Sequence, residues 1–132
     1  MQLDIVTPDR RVHLGETSDV VVPGVEGEFE VLPGHAAFLS AIGTGILSFK
    51  KDHKDVRLMV SGGFVEVDRD RVTLMCESAA LAEEVVREEA NKALYDAEQK
   101  LKQLGAVSTE DETFQVLRAE VDRAAAKLTL IK

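Results

Sequence analysis

Cysteine is nearly absent: Cys76 is the single example in 132 residues, so an intrachain disulfide is impossible and a thiolate metal cluster is excluded. It lies in the apolar run Val72-Thr73-Leu74-Met75-Cys76, where a buried, inert thiol is expected. Histidine is also sparse. His13, His35 and His53 stand singly in the first half, with neither an i, i+4 partner nor a cysteine pair nearby, so no metal site is expected. Positive charge is outnumbered, with 16 Lys and Arg against 24 Asp and Glu and a net charge of -8. That balance argues against nucleic acid as a partner, because neutralising phosphates takes clustered cations. No run of apolar residues is long enough to cross a bilayer, and Met1-Gln2-Leu3-Asp4-Ile5 lacks the basic start and apolar middle of a signal peptide. The chain is expected to stay on the reducing side where it is made and to reach a membrane only through a partner.

Residues that could converge for catalysis are poorly supplied. Ser61-Gly62-Gly63 is followed by no Lys-Ser/Thr, and no helix pattern opens there, so tight strand packing or a turn accounts for it better than a phosphate loop. Asp68-Arg69-Asp70 lacks the central glycine and final glutamate of a calcium loop and reads as a charged hairpin tip. Glu83-Glu84 and Glu88-Glu89 are adjacent pairs, which point apart on a helix and read as solvated faces. The chain is expected to be non-catalytic and to carry no cofactor.

What is present divides near residue 82. Residues 1–82 carry short runs of Val, Ile, Phe and Leu punctuated by Gly, Pro and Asp, the spacing of strands without intervening helices. Val20-Val21-Val22 is expected to stop at Pro23-Gly24, and Phe29-Glu30-Val31-Leu32 at Pro33-Gly34. Asp52-His53-Lys54-Asp55 and Asp68-Arg69-Asp70 read as hairpin tips. The pattern predicts an antiparallel β-sandwich or flattened barrel.

From Glu83 onward Ala, Glu, Lys, Gln and Leu dominate, which is helix-forming material. Val86, Ala90, Ala93, Leu94, Ala97, Leu101 and Leu104 share one helical face, and Gly105 is placed to end that helix. Thr109 and Glu112 have capping-box spacing, and Phe114, Leu117, Val121, Ala124, Leu128 and Ile131 step by three and four to the end of the chain. Residues 83–132 are therefore expected to form an antiparallel helical hairpin. Its alanine-rich seam buries roughly one methyl per residue, at about 0.8 kcal/mol each, so it depends on what it packs against.

One loop combination is more specific than composition. Glu26-Gly27-Glu28-Phe29-Glu30-Val31-Leu32-Pro33-Gly34-His35-Ala36, followed later by Ser61-Gly62-Gly63-Phe64-Val65-Glu66-Val67, resembles the epsilon subunit of bacterial F-type ATP synthases. Ile5-Val6-Thr7-Pro8-Asp9 and the segment from Val72 to Glu84 fit the same family, so the resemblance runs in order through essentially the whole chain. It implies a ten-stranded sandwich followed by two helices, forming a central-stalk rotor subunit of a proton- or sodium-translocating synthase. The implied partners are the gamma subunit and the c-subunit ring for the sandwich. The helices are implied either to fold on the sandwich or to extend to the catalytic alpha and beta subunits and inhibit ATP hydrolysis. The implied location is peripheral, on the cytoplasmic side of a bacterial plasma membrane.

Carried over onto this sequence, Glu28 faces the polar loops of the c ring, with Phe29, Gly34 and His35 in the adjoining c-ring and gamma contact. Gly27 and Gly34 serve equally well as turn residues. Glu30 stands where the family usually has glycine, and Ala37 where proline is common. Arg118, Arg123 and Lys127, with Lys132, make the last helix locally basic, as expected of a regulatory face that meets acidic segments of the catalytic subunits. Some family members bind ATP through an Ile/Leu-Asp-x-x-Arg-Ala motif on the first helix. Here the corresponding run is Val85-Val86-Arg87-Glu88-Glu89-Ala90, with Val86 for the aspartate and Glu89 for the arginine, so no nucleotide site is expected. The alternative reading is a non-catalytic sandwich-and-hairpin adaptor of another complex.

Overall fold

Alternating burial makes the first half of the chain sheet. In β1 (Gln2–Val6), Leu3 and Ile5 are fully buried between half-exposed neighbours, because successive side chains of a strand point to opposite faces. The computed structural model describes residues 1–106 and 108–132. Over these the chain continues through β2 (Arg11–Glu16), β3 (Val20–Gly24), β4 (Gly27–Val31), β5 (Phe38–Ala41), β6 (Thr44–Lys51), β7 (Lys54–Asp68) and β8 (Arg71–Leu81). A 3-10 turn at Ala82–Glu84 leads to α1 (Arg87–Leu104) and α2 (Glu112–Leu130).

The strands run in the order β2-β1-β8-β7-β6-β3-β4, with β5 added to β7. The first half of β7 pairs with β6 as far as Ser61, and its second half pairs with β5 from Phe64 to Val67. The change of partner falls at Gly62 and Gly63, where φ is +69° and +103°. A side chain on Gly62 would run into the Glu77 carboxylate, and one on Gly63 would overlap the Met75 carbonyl oxygen. Only glycine permits this bend, which is the structural meaning of Ser61-Gly62-Gly63. The two layers close on a core that includes Leu3, Val20, Leu47, Leu58, Val65 and Leu74, all fully buried.

Three sheet details differ from the sequence expectation. The described residues form eight strands rather than about ten, because β7 and β8 run unbroken for 15 and 11 residues and each serves both layers. The sheet is also not wholly antiparallel, since β1 lies parallel to β8 from Gln2 opposite Arg71 to Val6 opposite Met75. No hairpin joins these two, so nothing forces opposite directions. Finally, Pro23-Gly24 does not end β3 but lies within it, and the turn is Val25-Glu26. Proline has no N–H to give, but its carbonyl still accepts from Gly43 N–H at 2.8 Å.

The helices stack outward from the sandwich. α2 packs on β6 and β7, and α1 packs on α2. Met59, between the core residues Leu58 and Val60, points to the face of the sheet that α2 covers and is 1% exposed. The expected capping box at Thr109 is replaced by Asp111, whose carboxylate accepts from Phe114 N–H at 3.2 Å. Asp111 immediately precedes the first helical turn, and its negative charge suits the helix's positive end. α1 starts after Val86, which offers no side-chain cap, and ends at Gly105 with φ +69°.

Candidate functional site

Two short turns flank β4, Val25-Glu26 before it and Leu32-Pro33-Gly34-His35 after it. Leu32-Pro33-Gly34-His35 is closed by His35 N–H donating to the Leu32 carbonyl at 3.1 Å, with Gly34 at φ +84°. Proline second and glycine third, with positive φ at the glycine, is the chemistry of a type II turn. On β4, alternation sends Phe29 and Val31 inward and leaves Glu28 and Glu30 exposed. With Glu26 on the turn before it, three exposed carboxylates at every second position line this edge strand, and the exposed apolar residues Val25 and Leu32 bracket it. The Asp19 carboxyl, hydrogen-bonded to Glu30, pushes the latter's proton affinity upward.

The four residues expected at this contact play different parts. Glu28 is exposed, and Gly34 shapes the turn. Phe29 is half-buried and meets Phe38 edge-on at 5.4 Å, so it supports the surface from beneath. Gly24 makes room for it, since a Cβ there would lie 2.9 Å from the Phe29 ring. His35 stacks on the other flank of Phe38 at 4.9 Å, and its Nδ1 lies 2.8 Å from the Ala36 carbonyl oxygen. Phe38, which the sequence reading did not single out, thus brings Phe29 and His35 together.

A second surface went unmarked in the sequence. On β7, Phe64 is directly opposite Ala41 of β5 and Met75 of β8, and Met75 is opposite Val6 of β1. These paired residues share a face, with Leu39 on the same side of β5. Leu39, Phe64 and Met75 are 64%, 52% and 47% exposed, making an apolar stripe across adjacent strands. The alternating pattern of each strand contains this information, but the stripe appears only once the register is known.

The third region is the joint between sandwich and helices. Arg10, on the β1–β2 turn, grips both carboxylate oxygens of Glu84 at 2.6 and 2.8 Å and also donates to the Ala79 carbonyl at 3.3 Å. Leu81 N–H donates to the same carboxylate at 2.8 Å. The Arg10 fork first, and the Leu81 amide second, hold the Glu84 carboxyl down at about 2. Glu84 is therefore paired, not the solvated carboxylate expected from its sequence. Beside the joint, a cleft of about 290 Å³ is lined by Glu84, Val86, Glu89, Ala93, Ala124 and Lys127. Here Val86 and Glu89 share the cleft with the Lys127 ammonium and the Glu84 carboxylate.

The basic residues of α2 do not form one face. Arg118 is ion-paired to Asp122 at 3.4 Å, and nine residues on, at roughly 100° per residue, Lys127 lies on nearly the opposite side. Arg123 and Lys127 share a side, and both are half-buried in this arrangement. Cys76 is buried, and desolvation raises its thiol to about 11, which leaves it protonated and unreactive. Among the described residues no helix is long and apolar enough to cross a membrane, and no three metal-ligating side chains cluster.

Comparison with known proteins adds a consistent set of likenesses. Residues 1–82 match the family described as ATP synthase, Delta/Epsilon chain, beta-sandwich domain. The ATP synthase epsilon chain of Geotalea uraniireducens is 39% identical over 128 residues, covering 97% of this chain and 91% of the relative. That of Geobacter sulfurreducens is 38% identical with the same coverage. The counterpart from Nitratidesulfovibrio vulgaris is 46% identical over 104 residues, covering 79% of this chain and 78% of the relative. Among solved structures, a chain of the Euglena gracilis mitochondrial ATP synthase, in an assembly of OSCP, F1 and c-ring, superposes with a TM-score of 0.79. Its identity is 22%, covering 98% of this chain and 80% of the other. A chain of the Tetrahymena thermophila central stalk and c-ring gives 0.63 at 11% identity, with coverage of 99% and 96%. At those identities the two superpositions speak for the fold alone.

Proposed function

This chain belongs to the ATP synthase delta/epsilon family, and from that premise we propose that it is the epsilon subunit of a bacterial F-type ATP synthase, a non-catalytic part of the central stalk. The observation that carries this is identity to bacterial epsilon chains over 97% of the chain, helices included. A likeness confined to the sandwich would have left the adaptor reading open.

The chemistry of its surfaces suggests a division of labour. The apolar stripe Leu39, Phe64 and Met75 suits a lasting apolar partner, and we assign it to the gamma subunit. The acidic strand face of Glu26, Glu28 and Glu30 suits basic or polar loops, and we assign it to the c ring, with His35 on the turn that follows the strand and Phe29 and Phe38 beneath. The subunit then sits peripherally on the cytoplasmic side of the plasma membrane, held there by the complex. Its helices act as a brake on ATP hydrolysis when they leave the sandwich for the catalytic head, taking Arg118, Arg123 and Lys127 to acidic segments of alpha and beta. The mixed charge of the cleft beside Glu89 and Lys127 gives no phosphate cradle, so ATP is not the signal that sets the brake.

Reconstitution tests the reading. The chain is expected to co-purify with gamma and the c ring, and truncation after Gly105 to keep assembly while raising ATP hydrolysis. Failure to co-purify would overturn the subunit assignment, and unchanged hydrolysis would overturn the brake. Titration calorimetry of ATP into the isolated chain is expected to give no micromolar isotherm.

A further inference from the structure

We propose that the Arg10–Glu84 fork makes the 3-10 turn at Ala82–Glu84 part of the sandwich, so that the helical hairpin pivots only at Val85–Val86. The inference rests on the reading that the hairpin can leave the sandwich, and it says where the chain bends when it does.

The fork is built from both sides. On the sandwich side, Thr7 N–H donates to the Arg10 carbonyl at 2.9 Å, and Thr7 Oγ1 donates to the Asp9 carboxylate at 2.6 Å, which fixes the turn that presents the guanidinium. On the other side, Glu84 is tied back by Leu81 N–H at 2.8 Å, and the 3-10 turn closes with Val85 N–H on the Ala82 carbonyl at 3.2 Å. Arg10 spans the two, reaching both Glu84 oxygens and the Ala79 carbonyl at the end of β8. A planar guanidinium making two parallel bonds restricts orientation as well as distance.

Beyond Glu84 the restraints thin out. Val85 and Val86 are extended, at φ -84°, ψ 126° and φ -102°, ψ 115°. Val86 gives α1 no side-chain cap, so the first helical N–H groups gain no side-chain partner there. The hairpin is seated on the sandwich through α2, which packs on β6 and β7, while α1 packs on α2 and has Ala90 and Ala97 as its buried residues, so no large side chain of α1 anchors its first turns. Two extended residues between a tethered turn and a lightly held helix form a hinge whose position is set by the tether.

Hydrogen exchange on the full-length chain tests this without any partner. In the unaltered chain the Leu81 and Val85 amides are expected to exchange more slowly than the amides of Leu94 to Leu101. Arg10→Ala is expected to speed Leu81 and Val85 by roughly two- to tenfold, the range for an exposed but bidentate pair. Arg10→Lys, which keeps the charge but cannot fork, should fall between. The core amides of Val65 and Leu74 should not move, which separates loss of the clasp from loss of the fold. Conversely, Val85→Gly with Val86→Gly should speed the α1 amides and leave Leu81 unchanged. If Leu81 and Val85 exchange together with α1, or ignore Arg10→Ala, the proposal is overturned. Because no ATPase is present, this outcome is independent of whether the hairpin inhibits hydrolysis, which the Gly105 truncation decides.

Discussion

The sandwich and the hairpin are each patterned correctly for their secondary structure, yet they hold themselves together by different means. In the sandwich, Leu3, Val20, Leu47, Leu58, Val65 and Leu74 are fully buried in one continuous cluster. In α1 the buried residues are two alanines, Ala90 and Ala97. A buried Leu or Val contributes about 1.5–3 kcal/mol, whereas a methyl contributes about 0.8 kcal/mol. The first region is therefore stable through its own interior, whereas α1 is held through α2, and α2, which buries Leu117, Ala124 and Leu130, through the β6 and β7 face on which it packs. Such a contrast suits an element that must exchange one docking surface for another.

The contrast can be broken or sharpened by measurement. The largest effect is expected from Leu74→Ala, which should cost about 2–5 kcal/mol and lower the unfolding midpoint of the whole chain, read by denaturant titration. Next comes Asp111→Ala, which removes the cap on α2 and should cost about 0.5–2 kcal/mol. It should appear as earlier melting of the helical circular dichroism with the sandwich transition in place. If both transitions fell together, the two regions would be one cooperative unit and the contrast would fail.

Acid should act on the joint. The Glu84 carboxyl is held at about 2 against an ordinary 4.5, so its contribution is present above pH 4.5 and is lost as pH falls from there towards 2. The pair is 39% and 36% exposed, so after solvent screening the loss should be about 1 kcal/mol or less. Glu84→Gln should remove that part of the acid dependence. The smallest effect concerns His13, which stacks on Phe49 at 4.4 Å. Desolvation first, and then Lys51, lower its proton affinity from the ordinary 6.5. The unfolded chain therefore takes up the proton before the folded one, and sandwich stability should fall as pH drops through and below 6.5. His13→Phe should flatten this slope in pH-dependent melting.

The places where sequence and structure part company share one character. Period-two and three-to-four-residue patterns are local, so Leu3-Asp4-Ile5 and the seam from Ala90 through Leu101 could be read directly. Pro33-Gly34 carries its turn type in the two residues themselves, and the turn at Gly34 forms as expected. Pro23-Gly24 misleads because its surroundings, the Gly43 amide and the Glu28 strand, prolong β3 past it. Asp111 displaces Thr109 as the cap because the helix begins at Glu112, and cap choice depends on that one-residue register. Of the expected contact residues, Glu28 and His35 are exposed, but the support that Phe38 gives from another strand had no local signal.

By itself, the sequence determined the two kinds of secondary structure, the change between them after the strands, the buried thiol and the family. These follow from side-chain periodicity and from motifs read within a few residues. The tertiary structure alone decided the parallel seat of β1 on β8, the apolar stripe across β5, β7 and β8, and the Arg10–Glu84 clasp. Each joins residues far apart in the chain, 74 positions in the case of the clasp. Which distant groups meet is set by strand order and register, which the local pattern leaves open and a shared core resolves.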